Sequence, residues 1–112
     1  MLKKILITAV LACTACSGEN SQLSISDIEK AGFEKNQQQL FQMVGASDGW
    51  SGKWNDEVVE IYTFTDTDLE NNPFYTSINV ERSSSNWADK CIHKNVILLS
   101  KGTKACQLLS DV

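Results

Sequence analysis

Residues 57–65, EVVEIYTFT, constrain the fold more than any other part of this chain. Val58, Val59, Ile61, Tyr62, Thr63 and Phe64 are β-branched or aromatic side chains, which pack well on a pleated surface. Apolar residues fall on both faces of the extended segment, so the strand is expected to be central and largely buried. Residues 95–100, NVILLS, read as a second buried strand on the same ground. Residues 74–82 are open to two readings. Phe74, Thr76, Ile78 and Val80 alternate with Tyr75, Ser77, Asn79 and Glu81, as in a half-buried strand. Asn72-Pro73 also suits a helix start, with Asn as N-cap and Pro at the first helical position. The alternation favours the strand.

Helical signals flank this sheet. Ser26-Asp27-Ile28-Glu29 fits a capping box, with Ala31-Gly32 as the stop. Residues 34–44 suit a second helix, with Leu40, Phe41 and Val44 on one face, Gln37 at its edge and Gly45 as its end. Residues 46–56, ASDGWSGKWND, carry glycines and short polar side chains and read as turns. Residues 66–72 and 83–86 read as loops and Lys101-Gly102 as a turn, and residues 103–112 suit a short final helix carrying Cys106, Leu108 and Leu109. The expected fold class is α+β. One small domain over residues 25–112 packs N-terminal helices on a short sheet of two to three strands, with a C-terminal helix tied by a disulfide. No internal repeat is visible.

The N-terminus reads differently. Lys3 and Lys4 precede an uncharged apolar run, ILITAVLA, over residues 5–12. That run is far short of the roughly 20 residues needed to span a bilayer, and it fits the hydrophobic region of a secretory signal peptide. Small residues then lead to cysteine: Ala12-Cys13-Thr14-Ala15-Cys16-Ser17-Gly18. This stretch resembles the lipobox of bacterial lipoproteins. The resemblance covers about the first 17 residues and implies that residues 1–15 are removed, leaving Cys16 as the lipidated first residue. Cys13, preceded by Val10-Leu11-Ala12, is the alternative lipidation site. Ser17 after Cys16, and Thr14 after Cys13, implies sorting to the outer membrane, facing the periplasm. An unlipidated secretory protein is the other reading of the same segment.

Removing 15 of 112 residues leaves 97, enough for one modest core. The whole chain has 10 Lys+Arg and 14 Asp+Glu; without Lys3 and Lys4 the count is 8 against 14, a net charge of −6. An acidic surface argues against nucleic acid and against charge-driven binding to anionic lipid. Membrane attachment then rests on the acyl chains, since each buried methylene contributes about 0.8 kcal/mol. Residues 16–24 read as the lipidated cysteine and a small, polar tether.

Cys91 and Cys106 remain, 15 positions apart, and an exported chain meets an oxidising compartment in which a disulfide is the default. Metal binding by Cys91, His93 and Cys106 is the weaker alternative, because structural zinc sites use four ligands in closely spaced pairs. No Cys-x-x-Cys redox motif occurs. Residues 66–70, DTDLE, resemble half of a calcium loop, but Asn71 and Ser77 stand where the EF-hand pattern needs Gly and Glu. A solvated acidic loop is the expectation, with no metal and no cofactor.

The remaining chemistry lies in the aromatic turn. Trp50 and Trp54, with Asp48 and Asn55 close by, could stack on sugar rings and bind hydroxyls, or meet a protein partner. The competing reading puts the indoles in the core. His93 has no triad-like sequence context, and no catalytic residue is assigned. The function expected is non-enzymatic: a membrane-anchored envelope lipoprotein with a binding or accessory role toward another envelope protein. A glycan- or peptidoglycan-binding module using Trp50 and Trp54 is the alternative, and a small hydrolase stands last.

Overall fold

The computed structural model describes residues 22–80 and 87–112. The signal segment, Cys13 and Cys16, most of the tether and the expected loop at 83–86 lie outside the described residues. The described chain runs α1 (Ile25–Lys30), β1 (Glu34–Gln38), a 3₁₀ turn (Phe41–Val44), β2 (Asp48–Trp54), β3 (Glu57–Thr63), α2 (Pro73–Ser77), β4 (Asp89–His93), β5 (Val96–Ser100) and α3 (Ala105–Ser110). The strands form one antiparallel sheet in the order β1-β2-β3-β5-β4. The fold is therefore a small α+β domain, with five strands where the sequence pattern had suggested two to three.

The β3 segment is central, as its composition required, and the register separates its two faces. Val59 and Ile61 join Val96, Leu98, Trp54, Phe33, Ile25, Ile28, Ala105 and Leu109 in one core, beneath α1 and α3. Tyr62 joins Phe64, Leu69, Ile97 and Leu99 in a second core, covered by the 3₁₀ turn, the loop after β3 and α2. A sheet with apolar residues on both faces needs a covering layer on each, and this chain builds both from short pieces.

Four expectations are corrected. Residues 34–38 form an edge strand, not a helix: their Glu, Lys and Gln are good helix formers, but pairing with β2 overrides that preference. The strand is fully exposed and carries a bulge at Asn36, so no period-2 burial pattern marks it in the sequence. Residues 48–54 form β2, not turns. Its Gly52 lies where β1 crosses closely, and a Cβ there would collide with the Glu34 carbonyl oxygen. Residues 73–77 form a helix, not a strand. Asn72 Oδ1 accepts from the Phe74 and Tyr75 amides at 2.8 and 3.2 Å, with Pro73 opening the helix. The capping box of α1 also shifts: Ser24, not Ser26, is the N-cap, and its partner is Asp27. These hydrogen bonds from Ser24 hold the Asp27 carboxyl below its usual range.

Local chemistry fixes the connections. Asn55 and Asp56 both adopt positive φ, 53° and 65°, and join β2 to β3 by a two-residue turn. Lys94, at φ 56°, opens the matching turn between β4 and β5. Asn95 beside it is buried and ties three segments together. Its Oδ1 accepts from the Leu23 amide at 2.6 Å, and its Nδ2 donates to the Leu23 and Phe64 carbonyls at 3.0 Å each. Cys91 on β4 and Cys106 on α3 form the disulfide, with Cα atoms 6.0 Å apart.

Glu57 caps α3 from the neighbouring strand. Its carboxylate accepts from the Lys104 amide at 2.9 Å, the Ala105 amide at 3.0 Å and the Ser100 hydroxyl at 2.9 Å. Burial alone would push this carboxyl up, but the hydrogen bonds from Lys104, Ala105 and Ser100 outweigh it and hold the group below its ordinary value of 4.5. Stabilisation from a carboxylate so held is present above that value and lost as pH falls through the folded one. Glu57→Gln is expected to cost about 1–2 kcal/mol at neutral pH. It is also expected to flatten the acid limb of stability, read by urea unfolding between neutral pH and pH ~3. Parallel acid limbs for variant and parent would remove Glu57 from this role.

Candidate functional site

The four residues singled out in the sequence all lie on β2 or its turn, spread along it. Asp48 opens the strand and Asn55 follows its last residue, so about 23 Å separates their backbones at the usual strand rise. Trp50, Gly52 and Trp54 share one face, opposite Ile61, Val59 and Glu57. That face is the α1/α3 core. Trp54 is 2 % exposed, with its ring centroid 6.4 Å from that of Phe33 at 54°. Trp50 is half-buried against the same core, and the Lys35 ammonium sits 4.3 Å over its ring while pairing with Glu29 at 3.7 Å. Neither arrangement offers the two open indole faces that sugar stacking needs. Asp48 Oδ1 accepts from the Gln38 side chain at 3.2 Å and from the Gly49 amide at 2.8 Å, which leaves it structural partners at its end of the strand.

Other chemistry-bearing residues also have local partners. His93 on β4 is half-buried, and its Nε2 lies 3.2 Å from the Val112 main-chain oxygen. Both cysteines beside it are consumed by the disulfide. Asp66 accepts from the Asp68 amide at 3.1 Å within the acidic loop. Among the described residues, no three His, Cys, Asp or Glu side chains gather so as to hold a metal ion. The Tyr62 hydroxyl, pushed well up by burial, donates to Glu60 at 2.8 Å.

The two ends of the sheet differ more than its faces do. At one end the chain enters: Leu23 is held to Asn95, and Gln22 Nε2 donates to the Thr65 carbonyl at 2.7 Å, just past the last residue of β3. Residues 22 and 23 therefore belong to the domain. At the other end stands the β2–β3 turn with exposed Asn55 and Asp56. Beside it is a depression of about 350 Å³ whose lining includes Gly32, Glu34, Lys53, Asn55 and Asp56, with Leu108 of α3 at its wall. This tip offers both charge signs and two amide or carboxylate turn side chains. It is a candidate contact site for a partner. Trp54 and Asn55 stand out in the sequence, whereas Gly32, Glu34 and Lys53 join them only through the pairing of β1 with β2.

Sequence reasoning also missed an apolar exposure. Leu40, the residue that precedes the 3₁₀ turn, and Met43 within it are 72 % and 80 % exposed. The helical reading put Leu40 on an inward face; in the folded chain only Phe41 and Val44 of that group turn toward the core. Gly45, at φ 77°, ends the turn. No helix among the described residues is long and apolar enough to cross a membrane. No protein-family model matches the chain, and neither a curated protein nor a solved structure matches it.

Proposed function

We propose that this chain is a lipid-anchored protein of the bacterial envelope that binds another envelope protein, in an accessory and non-enzymatic role. On this reading residues 1–15 are the signal peptide and Cys16 carries the lipid, with Cys13 as the alternative. The protein is held at the outer membrane, facing the periplasm. The observation that carries the reading is the polarity of the domain: the chain enters at Gln22–Leu23 at one sheet end, and the Asn55–Asp56 turn with its depression lies at the other. The seven residues of β3 separate the ends, about 20 Å from first to last at the usual rise. A short tether at one end directs the other end away from the bilayer, where a partner can reach it. The disulfide supports an exported location, since such bonds persist in oxidising compartments.

The test is photo-cross-linking in the intact envelope. A photoreactive residue at Asn55 is expected to give one discrete higher-mass product, and the same group at Asp66, exposed at the opposite end of the sheet, is expected to give none. Equal labelling from both positions, or from neither, contradicts a partner-binding tip.

A further inference from the structure

We propose that the end of the domain where the chain enters rests directly on a zwitterionic phospholipid surface, with Leu40 and Met43 seated among the headgroups and upper acyl chains. The proposal rests on the lipid-anchor reading above and adds a second, non-covalent contact to it.

Register places the parts. Asp48 pairs with Thr63, Thr63 with Val96 and Val96 with His93, so these four residues mark one end of the sheet. The 3₁₀ turn joins β1 to β2 at that same end, and the Ser47 amide after it donates to the Thr63 carbonyl at 2.8 Å. Gln22 bonds to Thr65, two residues beyond Thr63. Neighbouring strands lie about 4.8 Å apart, so the turn and the entering chain are separated by only two or three strand spacings, about 10–15 Å. Cys16 and Gln22 are six Cα–Cα steps apart, and covalent geometry limits that span to at most about 22 Å. An acylated Cys16 therefore keeps this end close to the bilayer.

The side chains at that end suit the contact. Leu40 and Met43 are the two most exposed large hydrophobics among the described residues, and they sit three positions apart, at the start of the 3₁₀ turn and within it. Val44, Pro73 and Phe74 continue the apolar surface beside Met43, lining a depression of about 470 Å³. Val58 and Val80, at 45 % and 37 %, are the other exposed large hydrophobics among the described residues and lie apart from this pair, so two strongly exposed apolar side chains three positions apart are a local concentration of the kind that marks an interaction surface. Charge selects the lipid. Asp66 and Asp68 are exposed in the loop that leaves β3 at this end, and they oppose an anionic leaflet. Lys94 at the same end is engaged with the Val112 main-chain oxygen at 3.3 Å. A phosphatidylethanolamine or phosphatidylcholine surface therefore fits better than one rich in phosphatidylglycerol.

The test uses the acylated full-length mature protein in phosphatidylcholine vesicles, with its intact mass recorded on the same sample. A solvatochromic dye on Met43→Cys is expected to shift to the blue and to be quenched by lipids brominated in the upper acyl chain. The same dye on Asn55→Cys is expected to do neither. Leu40→Asp is expected to lower the quenching at position 43 about tenfold. Adding phosphatidylglycerol to the vesicles is expected to lower it as well. An acylated protein whose dye at 43 stays in water overturns the bilayer contact and leaves the anchor standing. An unacylated mass overturns both. Protection of position 43 in the native envelope without lipid quenching assigns the patch to a protein partner and also overturns the proposal.

Discussion

Trp54→Ala is expected to lower the unfolding free energy by about 3–5 kcal/mol, the usual cost of emptying an aromatic site in a closed core. The indole is 2 % exposed and belongs to the same cluster as Phe33, Val59, Ile28 and Leu109. Its Nε1 also lies 3.3 Å from where a Cβ on Gly32 would sit, so the turn after α1 is shaped around it. A domain this small has a total stability of only about 5–15 kcal/mol, so the loss is a large fraction of the whole. Trp50→Ala removes a half-buried ring and is expected to cost less, about 1–2 kcal/mol. Urea unfolding of the two variants checks both magnitudes and their order. A Trp54→Ala protein as stable as its parent would take the indole out of the core and return it to the list of ligand-binding side chains.

Breaking the disulfide is expected to cost about 3 kcal/mol in the chain-entropy model for a loop of this size. Cys91→Ser or Cys106→Ser produces the loss, as does reductant on the native protein. The bond spans 15 positions and joins α3 to β4, an edge strand that pairs only with β5 within the sheet. Both cysteines also pack against the first core, so opening the bond loosens the layer that covers β5 as well. The measurement is the thermal midpoint with and without reductant. An unchanged midpoint would falsify the staple.

The legible parts of the fold were those in which composition and burial agree. Glu57–Thr63 and Val96–Ser100 are strands because their runs of β-branched and large apolar residues leave no polar face for a surface helix. The cysteine pair was legible because the chemistry needs only two thiols and an oxidising compartment. The C-terminal helix was legible from its apolar spacing. What escaped was set by neighbours. Residues 34–38, EKNQQ, have no inward face, so only the adjacent edge of β2 makes them a strand. Residues 48–54 hide a strand behind glycines, although Trp50, Gly52 and Trp54 do alternate, and Asn55-Asp56 is a turn pair ahead of a strong strand. At residues 73–77 the Asn-Pro cap won over the alternation because one turn of helix suffices to bring Phe74 onto Tyr62, ring centroids 5.1 Å apart. The candidate site suffered accordingly. Asn55 and Trp54 were named, but Glu34 and Lys53 reach the tip depression only once β1 and β2 are paired.

The proposed function depends on which end of this domain is tied down. A short link to Cys16 would hold the Gln22–Leu23 end, with exposed Leu40 and Met43, against lipid, and leave the Asn55–Asp56 tip free. The most direct test is the intact mass of the protein extracted from its own envelope. The expected mass is that of a chain that begins at Cys16, carries acyl groups and is two hydrogens lighter than the reduced sequence. An unacylated chain, or one beginning anywhere other than Cys16 or Cys13, would contradict it.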